Sequence, residues 1–186
     1  MTRRNAVTRH LAVGATLALT AGLGWVGTGV ASAATPSVSC QTTNAFAKFA
    51  PGLSSTPAKQ KETLGGKLSG CTGKAKITGG TLTGTLNSPT AIKCSNLLSG
   101  TVGSGTEVLH YADGTSSTAK VTIKVVSSGK FNINGSVTKG RFKGHKVTGP
   151  MALDPANPTN PGANCGLASP PVKITQINFS GTTTVS

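Results

Sequence analysis

The chain is short of acid. Only Glu62, Glu107, Asp113 and Asp154 are acidic, against 18 Lys and Arg, and the net charge is +14 over 186 residues. A pair of carboxylates flanking a sugar bond would have to come from those four, and their spacing singles out no pair. Aromatics are scarce too: the one Trp is Trp25, the one Tyr is Tyr111, and the five Phe are Phe46, Phe49, Phe131, Phe142 and Phe179. Most of the phenylalanines are needed for a core, which disfavours a stacking site for sugars or single-stranded nucleic acid. There is no Cys-x-x-Cys, and His110 and His145 lie far from the cysteines, so no zinc site or other metal site is expected. No Gly-x-Ser-x-Gly elbow and no Gly-Lys-Ser/Thr phosphate loop occur. No long helical periodicity follows Ala33.

One long apolar run does occur, at residues 11–30. Arg3, Arg4 and Arg9 precede it without any acid, and Ala31-Ser32-Ala33 follows with small residues at the positions a signal peptidase reads. Residues 1–33 are therefore predicted to be a signal peptide, cleaved near Ala33, and residues 34–186 a secreted single domain. A membrane anchor is the competing reading, but Gly14, Gly22, Gly24 and Gly27 and the cleavage-type ending argue against it. The general export route is favoured over twin-arginine export, because Asn5-Ala6-Val7 follows Arg3-Arg4 weakly. Cys40 lies too far from the run for a lipoprotein, and the chain closes without an apolar sorting tail, so a released, extracellular protein is expected.

All four cysteines, Cys40, Cys71, Cys94 and Cys165, fall after the run. In an oxidising compartment an even count reads as two disulfides. Cys71–Cys94 and Cys40–Cys165 are favoured weakly among the three pairings. Strand signals then recur with Gly, Asn and Asp turns between them, which points to an all-β fold, an antiparallel barrel or sandwich. Residues 119–125 alternate strictly, with Val121, Ile123 and Val125 inward. A partner strand is expected at 106–112, joined by an Asp113-Gly114 turn. Phe131, Ile133 and Val137 form the inward set of the next strand. Lys139-Gly140 reads as a two-residue turn and Gly144 as a bulge that lets Phe142 and Val147 both face the core. The inward parity changes near Thr175 in the last strand. Residues 45–50 are expected to make a helical turn with Phe46 and Phe49 inward. The similar stretches 65–70 and 79–84 read as two neighbouring strands, and the six prolines within 150–171 as a loop that Cys165 ties down.

The pieces Phe49-Ala50-Pro51-Gly52-Leu53-Ser54, Leu68-Ser69-Gly70-Cys71, Cys94-Ser95-Asn96-Leu97-Leu98-Ser99-Gly100 and Gly140-Arg141-Phe142-Lys143-Gly144 resemble those of a group of uncharacterised secreted actinobacterial proteins. The resemblance implies secretion, disulfides and a β fold, and carries no assigned activity or functional residue.

Catalytic groups are few. His110, Asp113 and the nearby Ser116 and Ser117 suggest a His–Asp–Ser set, but Asp113 is better explained as a turn residue and His110 as a polar strand residue. A non-enzymatic protein without cofactor is expected. What remains is charge. Removing Arg3, Arg4 and Arg9 leaves 18 − 3 = 15 cations against 4 acids, or +11. Lys139, Arg141, Lys143 and Lys146 gather around one hairpin, with Lys120 and Lys124 on a strand face nearby. The plain reading is that such lysines keep exposed strand edges from pairing. The functional reading is a face that binds anionic cell-wall polymers without specific nucleic-acid recognition, on a monomer. The rivals are a small hydrolase using His110 and Asp113, and an inhibitor acting through a loop at 154–163.

Overall fold

A computed structural model describes residues 37–154 and 173–186. They form a closed antiparallel β-barrel of eight strands in sequence order: β1 (Val38–Leu53), β2 (Lys61–Thr72), β3 (Gly80–Asn87), β4 (Gly100–Tyr111), β5 (Ser116–Ser127), β6 (Lys130–Gly140), β7 (Lys146–Leu153) and β8 (Ile174–Val185). Each strand pairs with the next, and β8 returns to β1 with Val38 opposite Val185 and Ala47 opposite Ile177. Closure leaves no sheet edge, and it decides for barrel over sandwich. A 3-10 turn at Cys94–Leu98 lies between β3 and β4.

Two-residue alternation builds the wall. Leu64 and Leu68, Leu82 and Leu86, Leu109 and Tyr111, Val121 and Ile123, Phe131 and Ile133, Ile177 and Phe179 are all buried. Their neighbours on the other face are Thr, Ser, Asn, Gln and Lys: Thr81, Thr83 and Thr85 on β3 and Asn132, Asn134 and Ser136 on β6 are exposed. A membrane barrel needs the opposite arrangement, an apolar outer band. Glycines face the lumen where strands crowd. A Cβ on Gly105 would stand 2.2 Å from the Thr85 carbonyl oxygen, and one on Gly181 2.1 Å from that of Pro150. Such positions let a small barrel curve tightly.

Several expectations hold. β4 and β5 pair around an Asp113-Gly114 turn, in which Gly114 takes φ +82° and the Tyr111 amide donates to the Thr115 carbonyl. The stretches 65–70 and 79–84 are paired neighbours, with Gly66 opposite Leu82. Ile174 and Ile177 are both buried, so the parity does change between them.

Others need correction. Residues 45–50 are strand, not a helical turn. A register shift between Thr42 and Ala45, with Asn44 at φ 49°, resets the parity so that Phe49 points inward, while Phe46 is half-buried with its ring laid over Gly65. Lys139 and Gly140 end β6, and the turn itself runs over 141–145, where the Gly144 amide donates to the Val137 carbonyl. Gly144 is left-handed, at φ +90°, but belongs to that turn; the bulge lies in β6, opposite Thr118 and Ala119. Phe142 enters the core from the turn, which is why it and Val147 are both fully buried. Val125, expected inward, is only half-buried because the ladder slips beside it.

The favoured disulfides are overturned. Cys40 bonds to Cys71. Ser39 faces Thr72 across the β1–β2 ladder, which brings the two cysteines side by side, whereas Cys94 lies at the opposite end of the barrel. Cys94 is itself disulfide-bonded. Pro150 to Leu153 continue β7, so the loop expected over 150–171 does not begin at Pro150. The rest of that stretch from 155 with Cys165, the 154–163 loop beyond Asp154, and residues 1–33 lie outside the described residues.

Candidate functional site

The outer wall carries the cations. All fifteen Lys and Arg after Arg9 are exposed, from Lys48 to Lys173. The carboxylates are sorted differently. Glu62 and Glu107 are 1% and 0% exposed, leaving only Asp113 and Asp154 on the outside.

Among the hairpin residues, the ladder sets Lys120 opposite Ser136 and Ser136 opposite Lys146. These three span adjacent strands, so the two lysines flank a serine about 10 Å apart across the wall. Lys139 faces Thr118 beside them, toward the end where the turn carries Lys143. A shallow groove runs across β4–β6 past Lys120, lined by Ser104, Thr106, Asn134 and Ser136. Lys124 lies farther along, between Thr101 and Asn132. Arg141 leaves the group. Its guanidinium bonds Asp113 and donates to the Ala75 carbonyl at 2.9 Å, so its fork is already engaged. It also lies 5.6 Å from the Phe142 ring centroid, covering that residue.

His110 and Asp113 are not assembled into a catalytic set. His110 projects from the exposed face of β4 between Thr81 and Ser116. Asp113 accepts from the Thr115 hydroxyl at 2.7 Å, from the Thr115 amide at 3.0 Å and from Arg141. The Thr115 bonds first, and Arg141 after them, hold its carboxyl below the usual carboxylate range. Ser117 is buried, on the other side of the wall from Ser116.

The lumen also holds polar groups. Glu107 sits between Gly84 and Ala119, whose small size leaves room for its side chain. Both its carboxylate oxygens, the Tyr111 hydroxyl and the Ser117 hydroxyl are buried without a hydrogen-bond partner. Glu62 lies in the other half of the lumen, between Phe49 and Leu86, and its Oε1 is likewise unpartnered. Burial pushes both carboxyls up from 4.5 to about 7. Burial also raises Tyr111; the adjacent Ser117 hydroxyl offsets part of this without reaching hydrogen-bond geometry. The signal was in the alternation: Glu62 shares the parity of Leu64 and Leu68, and Glu107 that of Leu109 and Tyr111.

No group of three or more His, Cys, Asp or Glu among the described residues is placed to hold a metal ion, and no helix among them is long and apolar enough to cross a membrane. No family model, curated protein or solved structure matches the chain.

Proposed function

We propose that this is an exported, non-catalytic barrel that associates with anionic cell-envelope polymers through its outer wall. The observation that carries this reading is the sorting of charge. Fifteen cations face water while two of the four carboxylates are enclosed, so the field outside is more positive than the composition suggests. The strongest local feature is the β4–β6 groove, where Lys120, Lys139 and Lys146 stand among hydroxyl and amide groups that suit phosphate or carboxylate oxygens. Each anion neutralised releases counterions, so binding weakens steeply with salt, as it does for nucleic acids. With Arg141 committed to Asp113, no rigid fork is left in the group to discriminate among polyanions.

Retention on purified wall polymer across a salt series tests this. A Lys120→Ala, Lys139→Ala, Lys146→Ala variant is compared with Lys59→Ala, Lys61→Ala, Lys67→Ala, which removes the same charge elsewhere. Earlier elution of the first variant supports the groove. Equal elution of the two means that only net charge acts, and no retention of the native protein at low salt contradicts the reading.

A further inference from the structure

The half of the lumen around Glu62 has a composition that the wall alone does not require. Its lining comes from seven of the eight strands, and includes Phe49, Val102, Ile123, Phe131, Met151 and Phe179 around a residual cavity of about 20 Å³. Glu62 is the one ionisable member of that lining. It is 99% buried, its Oε1 has no partner, and Gly103 is what makes space for it: a Cβ there would stand 2.6 Å from Oε1. An unpaired carboxyl in an apolar enclosure costs stability that Leu or Met at the same position would not. An apolar pocket with one converging polar group is also the usual composition of a small-molecule site.

We propose that this half of the lumen binds a small neutral molecule with an apolar body and a single hydroxyl, held by a hydrogen bond to the Glu62 carboxyl. Charge selects the neutral class. The outer cations oppose entry of an ammonium, and a carboxylate meets repulsion from Glu62 whenever that group is ionised. A hydroxyl both donates and accepts, so it matches a carboxyl in either protonation state; Glu62, lifted to about 7, samples both near neutral pH. Size selects a short body. The cavity has room for about one water, and the extra volume must come from Met151, whose unbranched side chain reorients readily.

The test uses 1-butanol and n-pentane of comparable size, titrated into the protein and followed by the Met151 methyl resonance. Saturable binding of 1-butanol is expected. Glu62→Leu should weaken it at least fivefold while leaving n-pentane within twofold, and Glu62→Gln, which also donates and accepts, should restore it. Met151→Ala, read by ligand-observed NMR, should favour longer alcohols. Equal affinity of native protein and Glu62→Leu for 1-butanol would overturn the proposal. So would the absence of saturable binding to the native protein, whether or not Met151→Ala binds.

Discussion

The two ends of the barrel bury a carboxylate each and manage it differently. Glu107, toward the end closed by the Cys40–Cys71 disulfide, shares its half of the lumen with Tyr111 and Ser117. Above them Tyr111 meets Phe142 edge-on, at 5.5 Å and 88°, and Phe142 meets His145 at 5.8 Å. That end is closed by covalent and aromatic contacts, with Arg141 and Asp113 on the outside. Glu62, toward the other end, has apolar neighbours and a cavity. There Leu53, Ile92, Leu97 and Ile174, all 2% exposed or less, fill the space. Both carboxyls are raised by the same cause, burial. The difference lies in what surrounds them: one is part of a packed polar cluster, the other faces free volume. Neither the Glu107 carboxyl nor Oε1 of Glu62 finds a hydrogen-bond partner in its surroundings, and the one that borders a cavity is the one suited to an external ligand.

The largest effects should separate the ends. Phe142→Ala removes a fully buried ring from the aromatic cap and should cost about 3–5 kcal/mol in urea unfolding; a loss below about 1 kcal/mol would show that the cap does not hold that end. Cys40→Ser with Cys71→Ser opens a loop with a sequence separation of 31 and should cost about 3–4 kcal/mol on the chain-entropy model. Peptide mapping of the native protein should then show Cys40–Cys71 and, from the two cysteines that remain, Cys94–Cys165. Any Cys71–Cys94 peptide would contradict the register of β1 and β2.

The carboxyls come next. Each is held near 7 in the folded chain against 4.5 when free, so the native state keeps a proton that the unfolded state releases. The stability that each of these carboxyls contributes is therefore greatest below about 4.5, falls as pH rises between the two values and levels off above 7. Each group should account for about 3 kcal/mol of that fall. Glu62→Gln and Glu107→Gln should each flatten roughly half of the slope in urea midpoints measured from pH 4.5 to 8. An unchanged slope in either variant would mean that its carboxylate is solvated. The smallest effect should come from Arg141→Ala. Its partner is exposed, so stability should move no more than for an ordinary surface substitution. A large loss would mean that its cover over Phe142 matters more than the ion pair.

Much of the wall was legible because alternation is local. Residues 119–125 and 131–137 announce their inward faces through Val121, Ile123, Phe131, Ile133 and Val137, and Asp113-Gly114 announces its turn. Closure was not legible, since it depends on β1 meeting β8, two segments more than a hundred residues apart with no shared local pattern. The disulfide was misassigned for a related reason: which cysteines meet depends on the register between Ser39 and Thr72, set by bulges that no periodicity reveals. Phe46 and Phe49 were read together as inward because residues three apart share a face in a helical turn, whereas in the strand that this segment forms they lie on opposite faces. Of the six basic residues expected to share one face, the ladder brings Lys120, Lys139 and Lys146 together, leaves Lys143 in the turn above them and Lys124 apart, and turns Arg141 aside. Glu62 and Glu107 were legible from parity, once an acid is asked which face it occupies as well as what it can catalyse.

The sorting of charge, cations outside and half of the carboxylates inside, can be tested most directly by following the side-chain carboxyl carbons by NMR through a pH titration. Glu62 and Glu107 should titrate near 7, and Asp113 below the usual carboxylate range. Titration of both glutamates near 4.5 would place them in water and contradict the enclosed, near-neutral lumen.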